Sequence, residues 1–241
     1  MEKYKEEASP VDFDAFKKIV ESRRAVRKFT EETIPDEVVE QVLDLGLLAP
    51  NSSNLQPWQF YWIVDAKKRK AMITACMDQN SAKTCSTLIV AVARTDTWKK
   101  HSKQMIEGKE VLPIVRKYYK TYAPLIYSQG PFGIWGMLKR AFFSILGLFK
   151  VVPRGPFGKG KLEVWAQKSV ALACENIMLG FRAAGYDSCP MEGFDEVRVK
   201  NILDLPREAH VTMVIAAGKR RSEGVYGPRE RFHRNQFIFK V

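Results

Sequence analysis

Along this chain of 241 residues the apolar positions change period several times. Phe13, Phe16, Ile19 and Val20 share one helical face behind Asp12, a suitable N-cap, and predict a helix over 12–24. Ile34-Pro35-Asp36 opens a second helix, with Val38, Val39, Val42, Leu43 and Leu47 at helical spacing; Pro50 ends it. The aromatic and β-branched run 58–64 reads as a strand, 67–77 as a short helix, and 86–93 as a strand buried on both faces. The strongest helix is predicted over 162–184, where Trp165, Val170, Leu172, Ala173, Ile177, Met178 and Phe181 leave little polar surface; Gly185 suits its C′ position. A helix over 194–203 and a buried strand over 211–217 follow. The order, helices interleaved with about four strands, argues for an α+β architecture in which a mixed sheet is flanked by helices.

One stretch departs from this pattern. Residues 121–157 carry Pro124, Gly130, Pro131, Gly133, Gly136, Gly147, Pro153, Gly155 and Pro156 around apolar runs, the longest being 141–149. That run falls far short of the ~20 apolar residues that span a bilayer. It is read as a variable insertion in a single domain covering 1–241, forming short hinged helices that roof the site with Phe142, Phe143 and Phe149. The alternative is a membrane-surface contact through 133–152, with Lys139, Arg140 and Lys150 near lipid headgroups.

Composition narrows the class. A hydrophobic fraction of 46% and a charged fraction of 27% are those of an ordinary globular domain. Met1 to Pro10 is charged and lacks the apolar core of a secretory signal, and Cys76, Cys85, Cys174 and Cys189 have no CxxC spacing. The expectation is a cytoplasmic protein with reduced thiols. Three dispersed histidines, His101, His210 and His233, argue against a metal cluster. The net charge of +12 would suit nucleic acid, yet no nucleic-acid-binding motif accompanies it. An anionic small-molecule ligand would account for part of the excess. No GxGxxG follows a strand, and Gly158-Lys159-Gly160-Lys161 lacks the spacing of a phosphate-binding loop.

Two segments carry candidate chemistry. Ser22-Arg23-Arg24-Ala25-Val26-Arg27-Lys28-Phe29 places guanidinium groups at a helix end, and guanidinium forks suit phosphate. Ala49-Pro50-Asn51-Ser52-Ser53-Asn54-Leu55-Gln56-Pro57-Trp58 is a turn rich in short hydrogen-bonding side chains before an apolar strand. Together they suit a phosphorylated, ring-bearing cofactor.

In this order and spacing, Arg-Arg-x-x-Arg-x-Phe and Ala-Pro-Asn-Ser-Ser-Asn-x-Gln-Pro-Trp resemble the signature of the nitroreductase flavoprotein family, with Asn51 where Ser is usual and Ser53 where Gly is common. The resemblance implies non-covalent FMN, NADH or NADPH as co-substrate, and a homodimer that exchanges its C-terminal arm. It implies Arg23 on the phosphate, with Arg24, Ala25 and Arg27 beside it and Arg27 reaching toward the ring. Pro50, Asn51, Ser52 and Asn54 would act across the dimer interface, and Asn80 and Lys83 would lie near the flavin pyrimidine; a helix-end surface pair is their structural alternative. Cys189-Pro190-Met191-Glu192-Gly193-Phe194 resembles the family's loop along the flavin face, which would bring Pro190, Met191, Glu192 and Gly193 near N5. Pro228-Arg229-Glu230-Arg231 resembles its closing basic segment, with Arg229 and Arg231 toward the phosphate. The expected reaction is ping-pong hydride transfer through flavin N5 to a nitroaromatic or quinone, with no side-chain base. Cys189, lacking a neighbouring histidine, is read as structural. A dehalogenating or azoline-oxidising variant of the fold, or a non-catalytic flavin-binding protein, is the alternative. The tail 235–241 alternates in part like an edge strand that would add to a partner's sheet.

Overall fold

The computed structural model describes residues 7–108 and 112–241. Its strands are β1 (Trp58–Trp62), β2 (Thr87–Arg94), β3 (Asp187–Met191) and β4 (Ala209–Gly218), in the spatial order β1-β2-β4-β3 with antiparallel pairing throughout. A parallel element enters as an isolated bridge from Ala25 to Ser188. The helices are α1 (Phe13–Ser22), α2 (Asp36–Leu47), α3 (Ala66–Ala75), α4 (Asn80–Thr84), α5 (Trp98–Glu107), α6 (Pro113–Lys117), α7 (Ala123–Tyr127), α8 (Ile134–Leu146), α9 (Lys159–Ala183) and α10 (Glu196–Ile202).

The period-2 rule sorts the central strands. Ile89, Ala91, Ala93, Ile215 and Ala217 face one apolar layer with Val39 and Val42 of α2 and Val170, Ile177 and Phe181 of α9. Leu88, Val90, Val92, Val214 and Ala216 face the other, with Met72 of α3, Val199 of α10, and Val26 and Phe29. Helices therefore cover both faces of the sheet, which explains why β2 reads as an uninterrupted apolar run. The predicted helices form with small shifts at their ends: Asp12 caps α1 by accepting from the Ala15 amide, and Gly185 sits just beyond α9 with φ +86°.

One expectation about local structure is corrected. Cys189, Pro190 and Met191 are not loop but the second half of β3. Proline is compatible with that strand because β3 is the sheet edge, where a missing N–H faces away from the ladder. The tail forms no strand with its own sheet: a turn at Arg234–Gln236 is followed by irregular chain with Phe237, Ile238 and Phe239 exposed.

The insertion folds as short helices, as its Gly and Pro pattern predicts. In α8 the sides are inverted relative to an ordinary amphipathic helix. Gly136 and Lys139 are buried, while Ile134, Leu138, Phe142 and Ile145 face outward. Lys139 Nζ donates to the carbonyls of Leu125 at 2.5 Å and Ser128 at 2.6 Å, so it caps the end of α7 and lies 5.2 Å from the Phe157 ring. Burial holds this ammonium below the usual lysine range.

Helices α2 and α9 approach each other through two glycines. A Cβ on Gly46 of α2 would stand 2.7 Å from Ile177 Cγ1, and one on Gly180 of α9 would stand 3.1 Å from Leu45 Cδ1. Ile177 is fully buried and has no room to yield. Gly46→Val should therefore destabilise the fold by about 1–3 kcal/mol in urea unfolding, while the exposed control Gly160→Ala, whose Cβ would meet nothing within 4 Å, should not destabilise it.

Candidate functional site

The site begins with an extended segment that follows α1. Val26 and Phe29 are fully buried beneath the sheet edge, whereas Ala25 and Arg27 point to solvent. The backbone is held on both sides: the Val26 amide donates to Ser188 O at 3.0 Å, the Arg27 amide to Gly224 O at 2.7 Å, and the Thr30 amide to Lys219 O at 2.8 Å. Burial of the apolar residues thus turns Arg27 outward and leaves Arg23 and Arg24 just upstream of it.

Arg23, Arg24, Ala25 and Arg27 line a cavity of about 300 Å³ with Arg229 and Arg231. Arg24 Nη2 donates to Gly227 O at 2.6 Å, and Arg229 Nη2 donates to Glu21 O at 2.8 Å and to Arg23 O. These bonds tie the C-terminal segment to the end of α1. Five guanidinium groups surround this space against one lining carboxylate, Glu230. Like charges so arranged repel one another until an anion sits among them, and a phosphate monoester meets that donor set.

Two further expected clusters, Asn80 with Lys83 and Pro190 to Gly193, do not line this cavity, and Asn80 reaches it only through Tyr226. Asn80 Nδ2 donates to Tyr226 Oη at 3.2 Å, and Gln79 Nε2 donates to Gly193 O at 2.7 Å. Ser81 Oγ lies 3.0 Å from Met191 Sδ, joining α4 to the end of β3. Glu192 and Gly193 are exposed where the chain leaves β3, and Pro190 is half-buried. Lys83 is exposed on α4, 3.8 Å from Asp78. Val225, Tyr226, Gly227 and Gln79 were not singled out from the sequence; Tyr226 and Gly227 directly precede the Pro-Arg-Glu-Arg segment and could have been found there.

Pro50, Asn51, Ser52 and Asn54 do not line this cavity. Their loop packs on Tyr118, Tyr119 and Tyr127 instead. Ser53 Oγ lies 2.5 Å from Tyr118 Oη and 2.7 Å from Tyr127 Oη, and Tyr119 Oη donates to Ser53 O at 2.7 Å. Ser53, Asn54 and Gln56 all have positive φ, a conformation that persists only where surrounding contacts enforce it. Phe142, Phe143 and Phe149, expected over the site, line no part of the arginine cavity; Phe143 stacks on Phe157 at 4.9 Å, and the other two are exposed.

The thiols carry no reactivity toward this site. All four cysteines are free and buried. Burial pushes Cys189 up, against a smaller opposing effect of Arg27, and pushes Cys76 up to about 11 and Cys174 to about 12. Among the described residues no group of acidic, histidine or cysteine side chains could hold a metal ion.

Five guanidinium groups gathered around one small cavity of an α+β fold suit a phosphorylated ligand. The nitroreductase family model matches residues 20–219. The chain is 28% identical over 213 residues to protein DrgA of Synechocystis, covering 88% of this chain and 85% of that one. It is 24% identical over 202 residues to the NADH dehydrogenase of Thermus thermophilus, covering 84% and 85%. The crystal structure of an Exiguobacterium sibiricum protein in complex with FMN superposes with a TM-score of 0.69 at 22% identity, covering 97% of this chain and 99% of that one. This chain belongs to the nitroreductase family, whose members are FMN-dependent oxidoreductases.

Gly224 tests how tightly the arginine segment is held. A Cβ there would lie 2.6 Å from Lys28 O and 3.0 Å from Val26 Cγ1, so only glycine permits this approach. Gly224→Ala should cost about 1–3 kcal/mol in urea unfolding, and a cost near zero would mean that the segment is not locked at this point.

Proposed function

We propose that the protein takes hydride from NADH or NADPH and passes it to an electron-poor acceptor, a nitroaromatic or a quinone, by way of FMN held at the arginine cavity. The observation that carries this reading is the convergence of Arg23, Arg24, Arg27, Arg229 and Arg231 on one space, with Asn80 bonded to its lining residue Tyr226. FMN, when bound, supplies reversible hydride transfer between the nicotinamide and the acceptor.

The chain's own groups bind and bias that chemistry. Arg23, Arg24, Arg229 and Arg231 hold the phosphate by charge-assisted hydrogen bonds. Arg27 and Lys83 place fixed positive charge beside the pyrimidine edge, where it favours added electron density, and Asn80 orients that edge. Ala25, Pro190, Met191, Glu192 and Gly193 form the wall near N5. No side chain here is assigned a nucleophilic or basic role; the buried, raised thiol of Cys189 supports leaving it out.

The cavity lies at the small end of ligand pockets, and one chain leaves it open. This supports a homodimer in which Pro50, Asn51, Ser52 and Asn54 serve the cofactor bound by a second copy. The exposed Phe237, Ile238 and Phe239 support exchange of the C-terminal arm over that copy. One sheet with helices on both faces supports a single domain over 1–241 with the insertion at 121–157. Four buried free thiols accord with a reducing, cytoplasmic setting.

Purified protein should be yellow, release FMN on heating, and bleach anaerobically on addition of NADH or NADPH; colourless protein that takes up no added FMN would refute the reading. Arg23→Ala should weaken FMN binding about ten- to a hundredfold, the loss of a charge-assisted contact, whereas Arg27→Ala should keep FMN and slow its reduction. Negligible effects of both, in flavin titration and stopped-flow traces, would count against the assignment.

Sedimentation equilibrium should give a dimer. Truncation after Arg234 should shift it toward monomer and lower FMN occupancy. A monomer that retains FMN would exclude a shared site.

A further inference from the structure

The charge of this protein is concentrated in one segment. Residues 112–162 contain nine Lys and Arg and no Asp or Glu, leaving 30 Lys and Arg against 27 Asp and Glu in the rest of the chain. About three quarters of the +12 excess therefore belongs to the insertion and its flanks. Arg116, Lys117, Lys120, Arg140, Lys150 and Arg154 of this set are exposed, and among the described residues none of these six is held in an ion pair. None of the six lines the arginine cavity.

The same segment turns its apolar side outward. Ile134, Leu138, Phe142, Ile145 and Phe149 recur at steps of three and four, so they form one stripe along α8 and just beyond it. Ile145 is 63% exposed and Phe149 80%. Next to the stripe, Leu125, Trp135, Leu138 and Phe142 border an apolar groove of about 450 Å³. The orientation is enforced: Lys139 is drawn inward by the carbonyls at the end of α7, and Gly136 packs so closely that a Cβ would stand 2.9 Å from the Gly158 nitrogen. Turning the stripe inward would break the Lys139 bonds and drive side chains into that contact.

We propose that α8 and its flanks are a docking surface for an anionic lipid bilayer. A covering partner must accept an apolar helical stripe and cancel a dense positive charge at once. A second copy of the chain would set the same cations against themselves. Nucleic acid would neutralise the cations and leave the stripe wet. A bilayer with anionic headgroups satisfies both: the acyl boundary takes Leu138, Phe142 and Ile145, headgroup phosphates take Lys150 and Arg154 just beyond the helix, and Trp135 suits the interface between them. The helix lies on the membrane and does not cross it, since among the described residues no helix is long and apolar enough to span. The surface is separate from the arginine cavity, so the inference does not depend on which acceptor the enzyme reduces.

The test is co-sedimentation of the full chain with vesicles of phosphatidylcholine alone or of equal parts phosphatidylcholine and phosphatidylglycerol. The protein should bind the mixed vesicles, bind the neutral ones at least about tenfold less, and dissociate as salt rises. Leu138→Glu/Ile145→Glu should lower binding to the mixed vesicles about tenfold or more, with unchanged circular dichroism, sedimentation and turnover of a water-soluble nitroaromatic. Lys150→Glu/Arg154→Glu leaves the stripe intact and should weaken binding by a similar factor. The proposal fails if the wild type ignores mixed vesicles, or if both double variants bind them as well as it does. It fails also if Leu138→Glu/Ile145→Glu breaks up the dimer, which would make the stripe a contact between copies. A raised KM for the soluble acceptor in that variant would make it a substrate wall and equally overturn the proposal.

Discussion

Everything at the arginine cavity depends on how the extended segment after α1 is seated. Val26 and Phe29 are fully buried in the apolar layer under the sheet, and the amides of Val26, Arg27 and Thr30 are bonded to Ser188, Gly224 and Lys219. Buried apolar anchors and paired amides on both sides leave the segment one register, and in it the Arg27 side chain points to solvent. The end of β3, the turn at Gly224 and the C-terminal segment all meet at this strip. Parts of the chain some two hundred residues apart thereby share one rim.

The electrostatics divide into two places with different chemistry. At the cavity, five guanidinium groups stand within a small space, partly tied to carbonyls, so their geometry is set before an anion arrives. Along the insertion, the cations are dispersed, exposed and beside apolar side chains. A fixed fork arrangement selects a particular anionic group, whereas a diffuse basic rim on an apolar face favours an extended anionic surface. The net charge alone does not separate these two uses.

Residues 118–127 are joined to the polar turn by hydroxyl chemistry. Tyr118, Tyr119 and Tyr127 grip Ser53, whose φ is +61°, within the loop that carries Asn51, Ser52 and Asn54. That strained loop therefore has its shape imposed by residues more than sixty positions later. Movement of the insertion would be felt at the loop, which gives a physical route between the outer helices and the polar turn.

Much of the fold was legible because its periodicities are strong and local. Asp12, Gly185 and the apolar faces of α2 and α9 mark their elements by capping and spacing alone, and β2 is apolar enough to read as a fully buried strand. The spacing from Arg23 to Arg27 and the segment at Arg229 named residues that line the cavity. By itself the sequence determined these elements, the family and the arginines that line the cavity. Tertiary structure decided the rest. Cys189-Pro190-Met191 looked like a loop because proline and glycine flank it, and only its place at the sheet edge makes it a strand. Ser53 gave no sign of its three tyrosine partners, since those contacts are long-range. The facing of α8 was likewise undetermined: its apolar pattern predicts a buried stripe, and the inverse became visible only once Lys139 had found the carbonyls of α7 and Gly136 its tight contact. Periodicity identifies which residues share a face of a helix, but which face is buried depends on what the rest of the chain presents to it.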